Sequence, residues 1–224
     1  MTYLVVIKKN YKMKKILFTL SLLVVAVAVS AFIMGDKPSE SIEIGTSAPM
    51  PGLEMKGVDG SMNSLKSLKG ENGLLVVFSC NTCPFVVGRD GKSEGWETRY
   101  NNLNKQAQMM GFGMVLINSN EAKRDRADSM SEMKSHAKSE GYTMPYVVDE
   151  NHKLADAFGA KTTPHVYLLD ADLKLAYKGA IDDNVDSAKE VSKRYVEDAM
   201  TMLTKGQNPD PNSTKPLGCS IKRK

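Results

Sequence analysis

The stretch "GLLVVFSCNTCPF", Gly73 to Phe85, decides how this chain is read. It opens with a continuous apolar run, Gly73 to Phe78, of the kind found in a strand buried on both faces. Two cysteines two residues apart, Cys80 and Cys83, follow at once, and Pro84 comes next. Proline suits the first position of a helix, where its missing N–H would be unused and its φ is already set. Strand, paired thiols and helix start are therefore packed into thirteen residues. Three uses of such thiols are open at this point: electron exchange, metal binding, or the stapling of a loop.

The flanking sequence alternates between strand and helix patterns. Upstream, "GLEMKGVDGSMNS" has a turn centred on Asp59-Gly60 between short apolar-containing runs and predicts a hairpin. Downstream, Trp96, Tyr100, Leu103, Ala107 and Met110 form an amphipathic helical stripe. Gly88, Gly91 and Gly95 precede it and predict a kink or inserted loop. "MVLINSN" (114–120) reads as a second buried strand, and 126–140 as a helix with Ala127, Met130, Met133 and Ala137 on one face. "MPYVVD" is a short strand. "NHKLADAFG" is a short helix with Asn151 as its N-cap and Gly159 as its stop. "PHVYLLD" and "KLAYKGAI" make an antiparallel pair, a helix spans about 187–204, and the tail is extended. The expected class is three-layer α/β/α around a central mixed sheet, with an N-terminal hairpin extension.

The chain has 224 residues, 42% hydrophobic and 25% charged, enough for one domain with a substantial core. The net charge of +4 is carried by the N-terminus. Residues 1–35 hold five lysines and no acid, leaving 25 basic against 26 acidic residues in the rest. A near-neutral body offers no general electrostatic footprint for nucleic acid. "YKMKK" followed by the uncharged "ILFTLSLLVVAVAVSAFIM" predicts a secretory signal, with small residues for cleavage near Ala28 or Ala31, or an uncleaved membrane anchor. Met13 would begin a shorter version of the same segment. The expected divisions are 1–35 signal or anchor, 36–46 linker, 47–205 a single domain, and 206–224 a C-terminal extension carrying Cys219. An exported body, periplasmic or anchored facing the periplasm, would meet an oxidising compartment.

These motifs together resemble the thioredoxin superfamily and, within it, the redoxin branch of alkyl hydroperoxide reductase and thiol-specific antioxidant proteins. The resemblance rests on the Cys-x-x-Cys between strand and helix, on "KTTPHVYLLD" with Thr163-Pro164 about eighty residues later, and on "GTSAPMPGLEMKGVDGSMNSLKSLKG". "GAIDDN" and "KPLGCSIK" are similar to a narrower exported peroxiredoxin-like group. The resemblance implies a thioredoxin-like fold and dithiol–disulfide exchange through Cys80 and Cys83, with an antioxidant or redox-homeostasis role. It also implies a cis Thr163–Pro164 bond and a substrate-pairing role for the backbone of Thr163. Partners would be proteins or small thiols, and no cofactor is implied. Thiol peroxidase activity is the alternative. The peroxidatic position of peroxiredoxins would fall at Cys83, without the Thr three residues earlier and without the preceding Pro. Ser79 also stands where thioredoxins have Trp.

A copper-binding carrier is a second alternative, on soft thiolates and fourteen methionines. Copper-delivery members of the superfamily space their cysteines one residue wider, and Met109, Met110, Met130 and Met133 fall on or beside core-facing stripes, where packing accounts for them. No Cys/His set has zinc spacing. Cys80, nearest the strand end, is expected to be the low-pKa attacking thiol and Cys83 the more buried resolving one. His165 is expected to be structural, and His136 and His152 exposed. Cys219, between Gly218 and Ser220-Ile221, is expected to pack close and stay reduced; the other reading makes it a third redox thiol that exchanges with the pair.

Overall fold

The computed structural model describes residues 40–224. The expected signal or anchor, and the start of the expected linker, lie outside the described residues. No helix among the described residues is long and apolar enough to cross a membrane.

The described chain begins with β1 (Met55–Lys56) and β2 (Met62–Asn63), which form the expected hairpin with Met55 opposite Asn63. Asp59 holds its turn by accepting the Ser61 N–H at 3.0 Å. A one-turn helix α1 (Leu65–Leu68) follows, capped reciprocally by Ser64 and Ser67. Strand β3 (Gly73–Ser79) is buried along its whole length, as its apolar run requires. Short α2 (Pro84–Val87) starts on Pro84 and is stopped by Gly88, whose φ of 82° only glycine adopts without strain. The loop to Gly95 is closed by an Arg89–Ser93 bridge, and α3 (Tyr100–Met109) comes after a single 3-10 turn.

The alternation then continues through β4 (Phe112–Asn118), α4 (Met130–Ser139), β5 (Tyr146–Val148) and α5 (Lys153–Phe158). The closing elements are β6 (Thr162–Thr163), β7 (His165–Leu169), β8 (Leu175–Gly179), α6 (Tyr195–Thr204) and β9 (Cys219–Ser220). The main sheet has the order β5-β4-β3-β7-β8. Strand β3 runs parallel to β4 and antiparallel to β7, so the sheet is mixed as expected.

Alternate side chains of β3 feed two cores. Leu75 and Val77 pack with α3, α4 and α6 through Leu103, Met133 and Met200. Leu74, Val76 and Phe78 pack on the other face with α1 and α5 through Leu65 and Phe158. Three layers result. On the second face Phe158 meets Phe78 at 5.7 Å and Tyr167 at 5.0 Å between ring centroids, both edge-on.

Four details differ from the sequence expectations. Helix α6 begins at Tyr195 rather than near 187, because Asp183 accepts the Ser192 N–H at 3.0 Å and draws the preceding segment into a loop. Helix α4 begins at Met130 rather than 126, with Ser129 as its cap. The start of α5 is capped by Asp149, which accepts the Leu154 and Ala155 N–H groups at 2.9 Å each, so Asn151 is not the cap. The tail is not merely extended: it runs beside β8, where Thr214 N–H donates to the Lys178 carbonyl at 3.0 Å, and ends as β9 paired antiparallel with β6.

Phe158 is fully buried in the aromatic cluster. Its replacement by Ala should lower the unfolding free energy by ~3–5 kcal/mol, read from the denaturant midpoint.

Candidate functional site

The pairing of β3 with β7 builds the site. Phe78 lies opposite His165, so the chain leaving β3 at Cys80 runs beside the segment Thr163-Pro164 that enters β7. The Thr163–Pro164 bond is cis, as the resemblance implied. Cys80 Sγ lies 3.2 Å from the Thr163 hydroxyl, and Cys83 Sγ lies 2.9 Å from the Thr163 carbonyl oxygen. Both cysteines are buried, at 2% and 3% exposure. The third cysteine belongs to the same cluster. In β9, Cys219 is paired with Thr163, and its N–H points at Cys83 Sγ at 3.3 Å. All three thiols are free, and Cys219 is the partly exposed one.

The close approach of the tail has a visible sequence cause. A Cβ on Gly218 would stand 2.3 Å from the Thr163 carbonyl oxygen, so a side chain there would push β9 off the site. Downstream anchors hold the tail in place. Ile221 is buried in the second core and its N–H donates to the Lys161 carbonyl at 3.0 Å. The Lys222 N–H donates to Asn120 Oδ1 at 2.8 Å, and Arg223 pairs with Asp156 at 2.7 Å.

Charge is distributed unequally over the thiols. The Cys80 thiol, donating to Cys83, is the largest influence holding the Cys83 pKa down, against burial; smaller pulls come from the Cys219 side chain and N–H and from the Phe85 N–H. Cys83 falls to about 5. The Thr163 carbonyl opposes charge on Cys83, and accepts from that sulfur when it is protonated. Cys80 keeps the shared proton and is raised well above the usual thiol range by Cys83 first and burial second. Burial, then Cys83, lifts Cys219 to about 11. From the sequence, Cys80 is the expected low-pKa thiol; helix α2 has only four residues and begins after Cys83, and the hydrogen-bond donors converge on Cys83 instead.

A buried polar network fixes the loop between the cysteines. Asp128, fully buried, accepts the Asn81 N–H at 3.0 Å, Asn118 Nδ2 at 2.8 Å and Asn120 Nδ2 at 3.0 Å. The Tyr146 hydroxyl donates to Asn81 Oδ1 at 2.8 Å. Such fully satisfied networks hold one geometry. Nothing in the linear sequence marks Asp128; the one hint is Asn118 and Asn120, polar residues at the end of an apolar strand. Ser79, in the place of a thioredoxin Trp, meets the buried Tyr100 hydroxyl at 3.1 Å.

The remaining candidates lie elsewhere. His165 is structural as expected: it is buried near the Tyr167 hydroxyl, and burial with nearby Lys178 and Lys161 lowers its pKa to about 3. His136 and His152 are not freely exposed. His136 Nε2 meets Glu97 at 2.6 Å, which raises its pKa, and His152 Nδ1 meets Asp156 at 2.6 Å. Of the methionines on expected stripes, Met133 is buried, whereas Met109 at 72% exposure faces away from the core. Among the described residues no group of three or more His, Cys, Asp or Glu side chains is placed to hold a metal.

Residues 43–193 match the family model described as Redoxin. The chain belongs to the Redoxin family. This redoxin is similar to a conserved protein of Geobacillus kaustophilus, 31% identical over 83% of this chain and 95% of that one, with a TM-score of 0.73. A protein of Sinorhizobium meliloti is 29% identical over 83% of this chain and 97% of that one, with a TM-score of 0.72. A peroxidoxin of Mycobacterium tuberculosis shares the fold, at 14% identity over 74% of this chain and 97% of that one and a TM-score of 0.52. No curated protein matches this redoxin. Family and fold are those of redox enzymes.

The thiols give a direct titration test. Absorbance of the reduced protein near 240 nm should show a thiolate forming near pH 5 that Cys83→Ser removes. Cys80→Ala should shift it upward, since the main donor is lost. The reduced fold should also gain stability as pH rises from about 5 toward the unfolded thiol value of about 8.5, because the unfolded state binds the extra proton in that window.

Proposed function

We propose that this redoxin is a thiol–disulfide oxidoreductase whose Cys80–Cys83 pair passes two electrons to and from the disulfides of proteins or small thiols. The observation that carries this reading is the buried cluster in which both thiols meet Thr163, Cys80 Sγ at its hydroxyl and Cys83 Sγ at its carbonyl oxygen. A thiolate is the attacking species in exchange, and a protonated neighbour within reach can complete the disulfide. In the balanced reaction the dithiol gives two electrons and two protons to a partner disulfide. The Cys80–Cys83 bond forms, the partner's sulfur–sulfur bond breaks, and two partner thiols leave. The reverse reaction oxidises a partner dithiol. The N-terminal apolar segment supports export to the periplasm, free or anchored, where such exchange serves redox homeostasis. No cofactor is required by this chemistry.

Peroxide reduction is the second reading, favoured by the low pKa of Cys83. It would need donors that polarise the peroxide oxygen leaving as water. Arg124, beside the Asp128 network, instead donates to the Asn118 and Asp128 carbonyls at 2.8 and 2.7 Å. Stopped-flow oxidation of the reduced protein distinguishes the two. Hydrogen peroxide should react no faster than with an ordinary thiolate, while glutathione disulfide should yield the Cys80–Cys83 bond, lost in Cys80→Ser and in Cys83→Ser. Oxidation by peroxide a thousandfold or more above a free thiolate, roughly 4 kcal/mol of barrier lowering, would replace exchange with peroxidase activity.

A further inference from the structure

Exchange through a buried pair raises a problem of access. A partner sulfur must approach along the axis of the bond it attacks, and neither Cys80 nor Cys83 presents appreciable surface. The backbone of Thr163, the expected pairing edge for an incoming strand, is already taken. Thr163 and Thr162 pair with Cys219 and Ser220 of the same chain. Displacing β9 would also break the Lys222–Asn120 hydrogen bond and the Arg223–Asp156 ion pair, and unpack Ile221. The tail is therefore a resident strand, and it delivers a partly exposed thiol to the hidden one.

Resting on the exchange reading above, we infer that Cys219 is a third catalytic thiol, the relay through which external thiols and disulfides reach Cys83, by way of a Cys83–Cys219 disulfide. Cys83 is the common member of two alternative bridges. In the inner step the Cys219 thiolate attacks Cys83 Sγ of the Cys80–Cys83 disulfide. The Cys83–Cys219 bond forms, the Cys80–Cys83 bond breaks, and Cys80 takes up the proton that Cys219 gave up. No net oxidation occurs. In the outer step an external thiolate attacks the accessible Cys219 sulfur. Cys83 leaves as a thiolate, and a second external thiol attacks the mixed disulfide and releases Cys219. Two external thiols become one disulfide, and the protein gains two electrons. Read backwards, the same steps oxidise the pair.

The charge pattern favours the outer step. The sulfur with the lowest pKa departs fastest from a disulfide, and Cys83 is that sulfur. An external thiol attacking Cys219 therefore expels the better leaving group. Gly218 allows the approach, since any side chain there would collide with the Thr163 carbonyl.

The test uses the full chain with glutathione as the external thiol. Wild type and Cys219→Ser are equilibrated to the Cys80–Cys83 disulfide, mixed with reduced glutathione, and quenched by alkylation for thiol counting by mass. Cys80→Ser is oxidised separately with glutathione disulfide and its bridge mapped. Reduction should slow at least about tenfold in Cys219→Ser, and Cys80→Ser should yield a Cys83–Cys219 bridge. Reduction of Cys219→Ser at the wild-type rate, or a Cys80→Ser protein that holds only a glutathione adduct, would overturn the relay while leaving exchange intact. A wild-type protein that forms no intramolecular disulfide would instead overturn the exchange reading and the relay with it.

Discussion

The register of β3 against β7 is the constraint on which the rest depends. With Phe78 opposite His165, the end of one strand and the start of the other meet at the same edge of the sheet. The cysteine loop leaves one and Thr163-Pro164 enters the other, so each thiol finds an oxygen of Thr163 within 3.2 Å. A slip of one residue would exchange the two faces of β3 and move Phe78 out of the aromatic cluster. The large cores on both faces make that slip costly. The site is thus positioned by burial remote from the thiols, and tuned by a few hydrogen bonds close to them.

That tuning comes from backbone and thiol donors; among the described residues no basic side chain hydrogen-bonds to Cys83. Three sulfurs share two protons and one negative charge, and nearby N–H groups help decide where the charge sits. Because Cys83 receives most of the donors, it takes the charge, and Cys80 and Cys219 remain protonated on either side of it. Asp128 and its asparagines hold the loop still while this happens. A hydrogen-bonded carboxylate with three donors is a rigid strut, and its removal would leave those donors unpaired.

Much of the fold was legible because burial writes a simple pattern. The run Gly73–Phe78 reads as a strand covered on both faces, and the stripe from Trp96 to Met110 as a helix with one buried face, although the helix itself begins only at Tyr100, after a 3-10 turn that Trp96 precedes. The spacing of the cysteines before Pro84, and Thr163-Pro164 before a second apolar run, marked the site. Gly218 beside Cys219 pointed to a tightly packed tail. What the linear order hid were contacts between distant residues. Asp183 reaching Ser192 delays α6, Asp149 rather than Asn151 caps α5, and Glu97 takes up His136. The order of the thiols was hidden for the same reason, since the Cys219 donors approach Cys83 from 136 residues away.

The most direct test of the account is to equilibrate the protein in glutathione buffers of graded potential and map its cysteines by mass. The account predicts one two-electron transition, with the oxidised end state holding a Cys80–Cys83 disulfide and a free Cys219. Cysteines that remain reduced across the whole range, or that end only as separate glutathione adducts, would contradict it.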